Sequence, residues 1–209
     1  MSDFSLPLQD SLDALRTQLT VADPEALALR AGAIFTPKGE SGGNFRLLYW
    51  SREVILHFPA FTGKYAADGA PLGEFDTALL AHYLAATDGT PMTERWIPFE
   101  QLPESGELAA DFQARTGEAL AAAFGNNADA FIAANEALYG RREFFGNLAF
   151  SYQVLPRVPL LVVGWLGGEE IPPAYRILFD ASAPHHLPPD AYALLGQHLT
   201  QRLIQSAGA

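Results

Sequence analysis

The segment Pro159-Leu160-Leu161-Val162-Val163-Gly164-Trp165-Leu166 decides the fold class of this chain. Apolar residues occupy both its odd and its even positions, which would face opposite sides of a strand. This pattern is typical of a central β-strand covered on each face. The turn residues 167–170 follow, and residues 175–180 then predict an antiparallel partner strand. Residues 148–155 alternate in part and predict a further strand. The C-terminal third is therefore expected to build a sheet.

Toward the N-terminus the sequence first continues with strand-like segments and then changes to helical spacing. Residues 33–36, 44–49 and 53–58 are β-rich runs separated by glycine, proline and serine, which predicts an antiparallel meander. Before them, residues 1–32 predict N-terminal helices. One helix covers residues 10–19, and a second begins at Asp23 as N-cap with Pro24 in the first helical position.

The segment between the two strand-rich parts of the chain shows mainly helical periodicity. There the periodicity predicts helices over residues 76–84, 107–124 and 129–139, with a short strand at 95–99. A last helix, at 189–205, is predicted after the C-terminal strands. We therefore expect an α+β fold in which helices pack against a mainly antiparallel sheet. The predicted organisation is one globular domain over residues 1–209, with N-terminal helices at 1–32 and an α+β core at 33–205.

Composition excludes several classes of function. The chain has 24 acidic and 13 basic residues, a formal net charge of −11, and no cysteine. Without cysteine there is no disulfide, thiolate zinc site or cysteine-ligated iron–sulfur cluster. The acidic charge argues against nucleic acid as a partner. No apolar run approaches the roughly 20 residues that span a bilayer, and no export signal is visible, so we expect a cytosolic protein away from membranes.

The loop between the last predicted strand and the last helix carries the most chemistry. It holds Asp180, His185 and His186, and Glu170 lies in the preceding turn. Imidazole and carboxylate groups could bind a first-row metal ion or the iron of a macrocycle, or move a proton near neutral pH. Adjacent histidines usually point in different directions, however, and Glu170 and Asp180 lie at opposite ends of the predicted strand. The alternative is a simple turn, with Asp180 capping the chain reversal and one histidine hydrogen-bonded to the backbone.

Aromatic residues form 11% of the chain and offer a second hypothesis. Trp165 and its aromatic neighbours could line an apolar pocket for a small-molecule ligand, or they could fill the core. The helix pair at 107–139 could also form the face of a homodimer. No Gly-x-Ser-x-Gly elbow, phosphate loop, His-Glu-x-x-His or Gly-x-Gly-x-x-Gly occurs, so motifs assign neither a reaction nor a cofactor.

Most of the chain resembles a bacterial and archaeal family known only as a domain of unknown function. The resemblance is carried by Tyr83-Leu84, Trp96-Ile97-Pro98-Phe99-Glu100-Gln101-Leu102, Leu155-Pro156-Arg157-Val158-Pro159-Leu160, Trp165, Gly168-Glu169-Glu170-Ile171-Pro172, Ile177-Leu178-Phe179-Asp180, His185, Leu187-Pro188 and Leu194-Leu195-Gly196. Some members carry an added iron–sulfur module similar to that of corrinoid iron–sulfur proteins, which implies an association with one-carbon or tetrapyrrole chemistry. The present chain lacks every cysteine of such a module.

Three functions follow as hypotheses. The first is a non-catalytic cytosolic binding or accessory domain for an apolar or tetrapyrrole-like ligand, with His185 or His186 as a polar handle. The second is a metal-assisted enzyme that uses Asp180, His185, His186 and Glu170. The third is a structural partner protein without a ligand of its own.

Overall fold

The computed structural model describes residues 12–208 and divides them into two compact units. The first unit comprises the residues up to 92 together with 153–158 and 182–191. The second comprises 93–152, 159–181 and the residues from 192 onward. Helices and antiparallel sheets occur together, which confirms the α+β class. The predicted start of the first helix, residues 10 and 11, lies outside the described residues.

The first unit opens with two helices, α1 (Leu12–Thr20) and α2 (Pro24–Ala31). The Asp23 carboxylate accepts the backbone N–H of Glu25 at 3.0 Å, and Pro24 takes the first helical position, as predicted. At the other end Gly32 adopts φ +63°, a left-handed conformation that glycine tolerates and that ends the helix. Local signals therefore mark both ends of α2.

A four-stranded antiparallel meander follows, in the order β1-β2-β3-β4. Its strands are β1 (Ile34–Lys38), β2 (Gly42–Tyr49), β3 (Arg52–Phe58) and β4 (Thr62–Tyr65). Phe45, Leu47 and Tyr49 are buried while Arg46 and Leu48 are exposed, so β2 shows the alternation of a sheet with one covered face. The meander was predicted from the sequence, but β4 was not.

Helix α3 (Glu74–Ala86) is tied to both preceding parts of the first unit. The Tyr49 hydroxyl donates to Asp76 at 2.7 Å, and the Tyr83 hydroxyl donates to the carbonyl of Ala31 at 2.8 Å. Burial raises the pKa of both phenols, since the charged form would be poorly solvated. These two bonds hold α3, and therefore the residues 87–90 that follow it, in a defined place.

The second unit is built around a five-stranded antiparallel sheet in the order β5-β9-β8-β7-β6. The strands are β5 (Trp96–Pro98), β6 (Arg141–Arg142), β7 (Leu148–Leu155), β8 (Val158–Trp165) and β9 (Ala174–Asp180). Strand β8 is central, with the segment from Leu160 to Val163 buried, as its two-sided apolar sequence predicts. The predicted strands are thus divided between two sheets.

Helices complete the second unit. They are α4 (Ala109–Gln113), a π-helical turn (Ala114–Glu118), α5 (Ala119–Phe124), α6 (Ala128–Ala137), a 3-10 turn at Phe99–Gln101, and the part of α7 (Pro189–Ala207) from residue 192 onward. A second 3-10 turn, at Ala183–His185, belongs to the first unit. Gly117 lets the π turn approach β9, because a Cβ at this position would lie 2.2 Å from the carbonyl oxygen of Tyr175. Every helix in the described part of the chain is too short or too polar to span a bilayer.

Candidate functional site

The loop at residues 182–188, which we call the histidine loop, lies in the first unit and contacts the residues that follow α3. His186 is completely buried, and its Nδ1 lies 2.9 Å from the hydroxyl oxygen of Thr87. Polar groups inside a protein need hydrogen-bond partners, and Thr87 supplies one for Nδ1 of this buried imidazole. His186 therefore has the environment of a structural residue.

His185 lies beside it in a different environment. Half of its side chain is exposed, and its Nδ1 lies 2.7 Å from a carboxylate oxygen of Asp88. The backbone reinforces this contact, since the N–H of Asp88 donates to the carbonyl of His185 at 3.2 Å. The consecutive residues His185 and His186 thus contact Asp88 and Thr87, which are consecutive in the loop after α3.

The electrostatics of Asp88 determine the tautomer of His185. The hydroxyl and the backbone N–H of Thr90, together with the His185 imidazole, hold the pKa of Asp88 well below its usual range. An ionised carboxylate only accepts hydrogen bonds, so Nδ1 of His185 carries the proton. In the neutral ring Nε2 is then the basic nitrogen, and it can accept a proton or bind a metal ion or haem iron.

The other three predicted site residues belong to the second unit. Asp180 ends β9 and is buried, and its carboxylate accepts the backbone N–H of Thr93 at 3.0 Å and the Thr93 hydroxyl at 2.9 Å. Glu170 is exposed and precedes β9. The seven extended residues of β9, which span roughly 20 Å, lie between Glu170 and Asp180 in the chain. Asp180 thus anchors the segment before β5.

Trp165 is also accounted for by packing. Its half-buried indole, like that of Trp96, packs against a cluster formed by Ala149, Leu161, Val163 and Leu178.

Within residues 12–208 no group of three or more His, Asp or Glu side chains could hold a metal ion. The metal-assisted hypothesis accordingly has no three-ligand cluster among these residues, while His185 and His186 come together with partners that sequence analysis missed.

Those partners, Thr87 and Asp88, are 99 and 97 residues away from the histidines they contact. No local pattern can reveal a pairing over such a distance. The available signal was the sequence Asp88-Gly89-Thr90, in which Asp88 accepts the N–H of Thr90 at 2.8 Å. An aspartate two residues before its hydrogen-bond donor is typical of an Asx turn, and it marks a structured loop.

An open cavity of about 450 Å³ lies elsewhere in the first unit. Elements α1, β4 and α3 and the loop before α3 supply its walls. Gly63 lets Leu72 lie directly on β4, because a Cβ at residue 63 would come within 2.5 Å of Leu72 Cδ1. The residues lining the cavity are Arg16, Thr62, Gly63, Pro71, Leu72, Glu74 and Thr77.

The residues of the cavity are ordinary types for loops and helix starts, and sequence analysis singled out none of them.

The family model described as a domain of unknown function, DUF3786, matches residues 23–202. The chain belongs to this family. The DUF3786 segment includes the histidine loop, its partners and every cavity residue except Arg16. Neither the curated proteins nor the solved structures contain a match to this chain.

Proposed function

We propose that this protein is a non-catalytic cytosolic binding domain, and that a small ligand with an apolar body and a polar group occupies the cavity of the first unit. The observation that carries the proposal is the cavity itself. Its volume of about 450 Å³ falls within the range of roughly 300–1,000 Å³ that is typical of small-molecule sites. Its size therefore suits a compact organic molecule.

The lining supports this ligand class. Pro71 and Leu72 offer an apolar wall, while Thr62 and Thr77 bring hydroxyl groups that can donate or accept hydrogen bonds. Arg16 and Glu74 add one charge of each sign. Apolar surface with a few polar groups is the usual composition of a binding pocket, in which burial supplies affinity and polar groups orient the ligand.

The experiment is a titration of the labelled protein with benzoate, benzylamine and cyclohexanol, followed by amide chemical shifts. We expect at least one probe to give saturable shifts at residues 62–63 and 71–77. The substitution Leu72→Trp should abolish these shifts by filling the cavity. The matched control is Leu48→Trp, since Leu48 is half exposed on the outer face of β2. The proposal fails if no probe saturates, or if both substitutions act alike.

A tetrapyrrole is the second candidate ligand, and the geometry of His185 favours it. Asp88 fixes the His185 proton on Nδ1, and a carboxylate behind a histidine increases the basicity of the nitrogen that faces a metal. Haem, added in the same series, should then give a saturable change in its absorption spectrum that His185→Ala removes. No saturable change, or a change that persists in His185→Ala, eliminates the tetrapyrrole and leaves the cavity proposal standing.

A further inference from the structure

One end of the sheet in the second unit exposes a group of apolar side chains. Strand β7 begins, β8 ends and β9 begins at this end, because the three strands are antiparallel neighbours. The loops at 143–147 and 166–173 therefore leave the sheet together. Their exposed apolar residues, which we call the apolar loop surface, are Phe144 (108%), Phe145 (40%), Leu166 (37%) and Ile171 (72%).

Hydrogen bonds hold both loops in a defined conformation. The backbone N–H of Leu166 donates to the Asn147 side chain at 3.0 Å, and that of Gly167 donates to the Asn126 side chain at 2.7 Å. The N–H of Gly168 closes the second loop on the carbonyl of Ile171 at 2.9 Å. The exposed apolar residues thus stand on a preorganised base, which lowers the entropy lost on binding.

The first loop is fixed by a glycine as well. Gly146 has φ +58°, and a Cβ at this position would lie 2.7 Å from Val163 and 3.2 Å from the indole nitrogen of Trp165. Only glycine permits this close approach at that backbone angle. The loop therefore lies directly against the end of β8 and presents the two phenylalanines next to it.

The exposed charge around this surface is mainly acidic. Residues 143–147 and 165–174 contain three glutamates and neither lysine nor arginine, and of the two arginines in the neighbouring β6, Arg142 lies over the Phe150 ring at 5.2 Å. Glu143 is paired with Arg141 at 2.7 Å, whereas Glu169 and Glu170 are exposed, and no ion pair within residues 12–208 neutralises them. An exposed apolar group beside two uncompensated carboxylates is complementary to an apolar anchor that carries positive charge.

We propose that the apolar loop surface binds a partner protein through a basic segment with an apolar anchor. A second copy of this chain is disfavoured, because each copy has a net charge of −11 and a twofold contact would bring the same glutamates together. An anionic lipid surface is opposed by the same charges. The surface belongs to the second unit, so the proposal does not rest on the cavity ligand.

The test uses two synthetic peptides of equal length and equal leucine pattern, one with lysine and one with glutamate at the polar positions. The leucine–lysine peptide should give saturable amide shifts at residues 143–147 and 165–171. Phe144→Ser combined with Ile171→Ser should weaken binding by about tenfold or more, as for an interface hot spot. Glu169→Gln with Glu170→Gln should weaken it as well and reduce its dependence on salt.

Controls distinguish binding at this surface from non-specific hydrophobic association. Ile34 is 67% exposed in the first unit, so Ile34→Ser is matched to Ile171→Ser and should leave the affinity unchanged. The substituted side chains are exposed, and an unchanged Tm verifies that each variant folds. The proposal is overturned if the leucine–glutamate peptide binds equally well, or if Ile34→Ser weakens binding as much as the double substitution.

Two other occupants are also measured. Sedimentation of the protein alone should show no dimer that Phe144→Ser dissociates; such a dimer would assign the surface to a second copy and overturn the proposal. Phosphatidylcholine vesicles should not retain the protein. Retention that Phe144→Ser abolishes would assign the surface to a membrane instead.

Discussion

His185 and His186 are neighbours in the chain, yet the structure gives them opposite environments. His186 is wholly buried against Thr87, whereas His185 is half exposed and bound to Asp88. One pair of adjacent residues thus combines a stabilising contact with a chemically accessible group. Residue type therefore does not assign function at these two positions. Burial and the charge of the partner distinguish the structural imidazole from the available one.

Replacing each histidine by alanine should produce the largest difference between the two positions. His186→Ala empties a buried site and leaves the Thr87 hydroxyl without its imidazole partner, so we expect a loss of about 2–4 kcal/mol in the free energy of unfolding. His185→Ala should change that free energy little, because its side chain is half in solvent. Urea unfolding of the two variants measures both values. Equal losses would show that the two environments do not differ energetically.

A smaller effect should come from the partner of His186. Thr87→Val keeps the shape of the side chain but removes its hydroxyl, and a buried polar group deprived of one hydrogen bond costs about 1–3 kcal/mol. The matched control is Thr36→Val, since Thr36 is exposed in β1. Urea unfolding again supplies the measurement. If both threonine variants were equally stable, the Thr87–His186 bond would contribute nothing.

The smallest effect concerns the pH dependence of the exposed pair. Hydrogen bonds from Thr90 and the contact with His185 lower the pKa of Asp88 in the folded protein. A lowered folded pKa adds stability above the unfolded value of about 3.9, and this contribution is lost as the pH falls through the folded pKa. Asp88→Asn should therefore remove a small acid-sensitive part of the stability.

Thermal unfolding between about pH 6 and pH 2 compares the unmodified protein with Asp88→Asn across the range in which this carboxyl titrates in the unfolded chain. The difference in Tm should shrink toward the acid end and should also shrink with added salt, because the pair is exposed. Carbon-detected NMR provides the direct check. A carboxyl of Asp88 that titrates at its usual pKa would contradict the assigned hydrogen bonds.

Much of the fold could be predicted because its signals are local. Asp23 with Pro24 determines the start of α2, and the two-sided apolar run from Leu160 to Val163 determines the central strand of its sheet. Strand β4 was missed because its sequence, Thr-Gly-Lys-Tyr, has neither an apolar run nor regular alternation. It forms because β3 offers an edge to pair with, which is a tertiary cause.

The candidate sites were less predictable, because they also depend on tertiary contacts between residues far apart in the chain. The sequence points to His185 and His186 as reactive residue types, but their environments depend on Asp88 and Thr87, which lie far away in the chain. Leu72 and Gly63 line the cavity through a close contact between a loop and a strand. Trp165 and Asp180 were chosen as candidates for their residue types alone. In the structure Trp165 packs against the apolar cluster, and Asp180 anchors Thr93.

The π turn of the second unit also has a signature in the spacing of buried residues. Phe112, Thr116, Leu120 and Phe124 are all buried and follow one another at intervals of four. In a regular α-helix with 3.6 residues per turn, each such step rotates the side chain by about 40°, so that three steps would carry the row about 120° around the axis. A wider π turn absorbs part of this rotation and keeps the row directed at one neighbour. A run of interior positions at strict intervals of four can thus indicate a helix that is locally underwound.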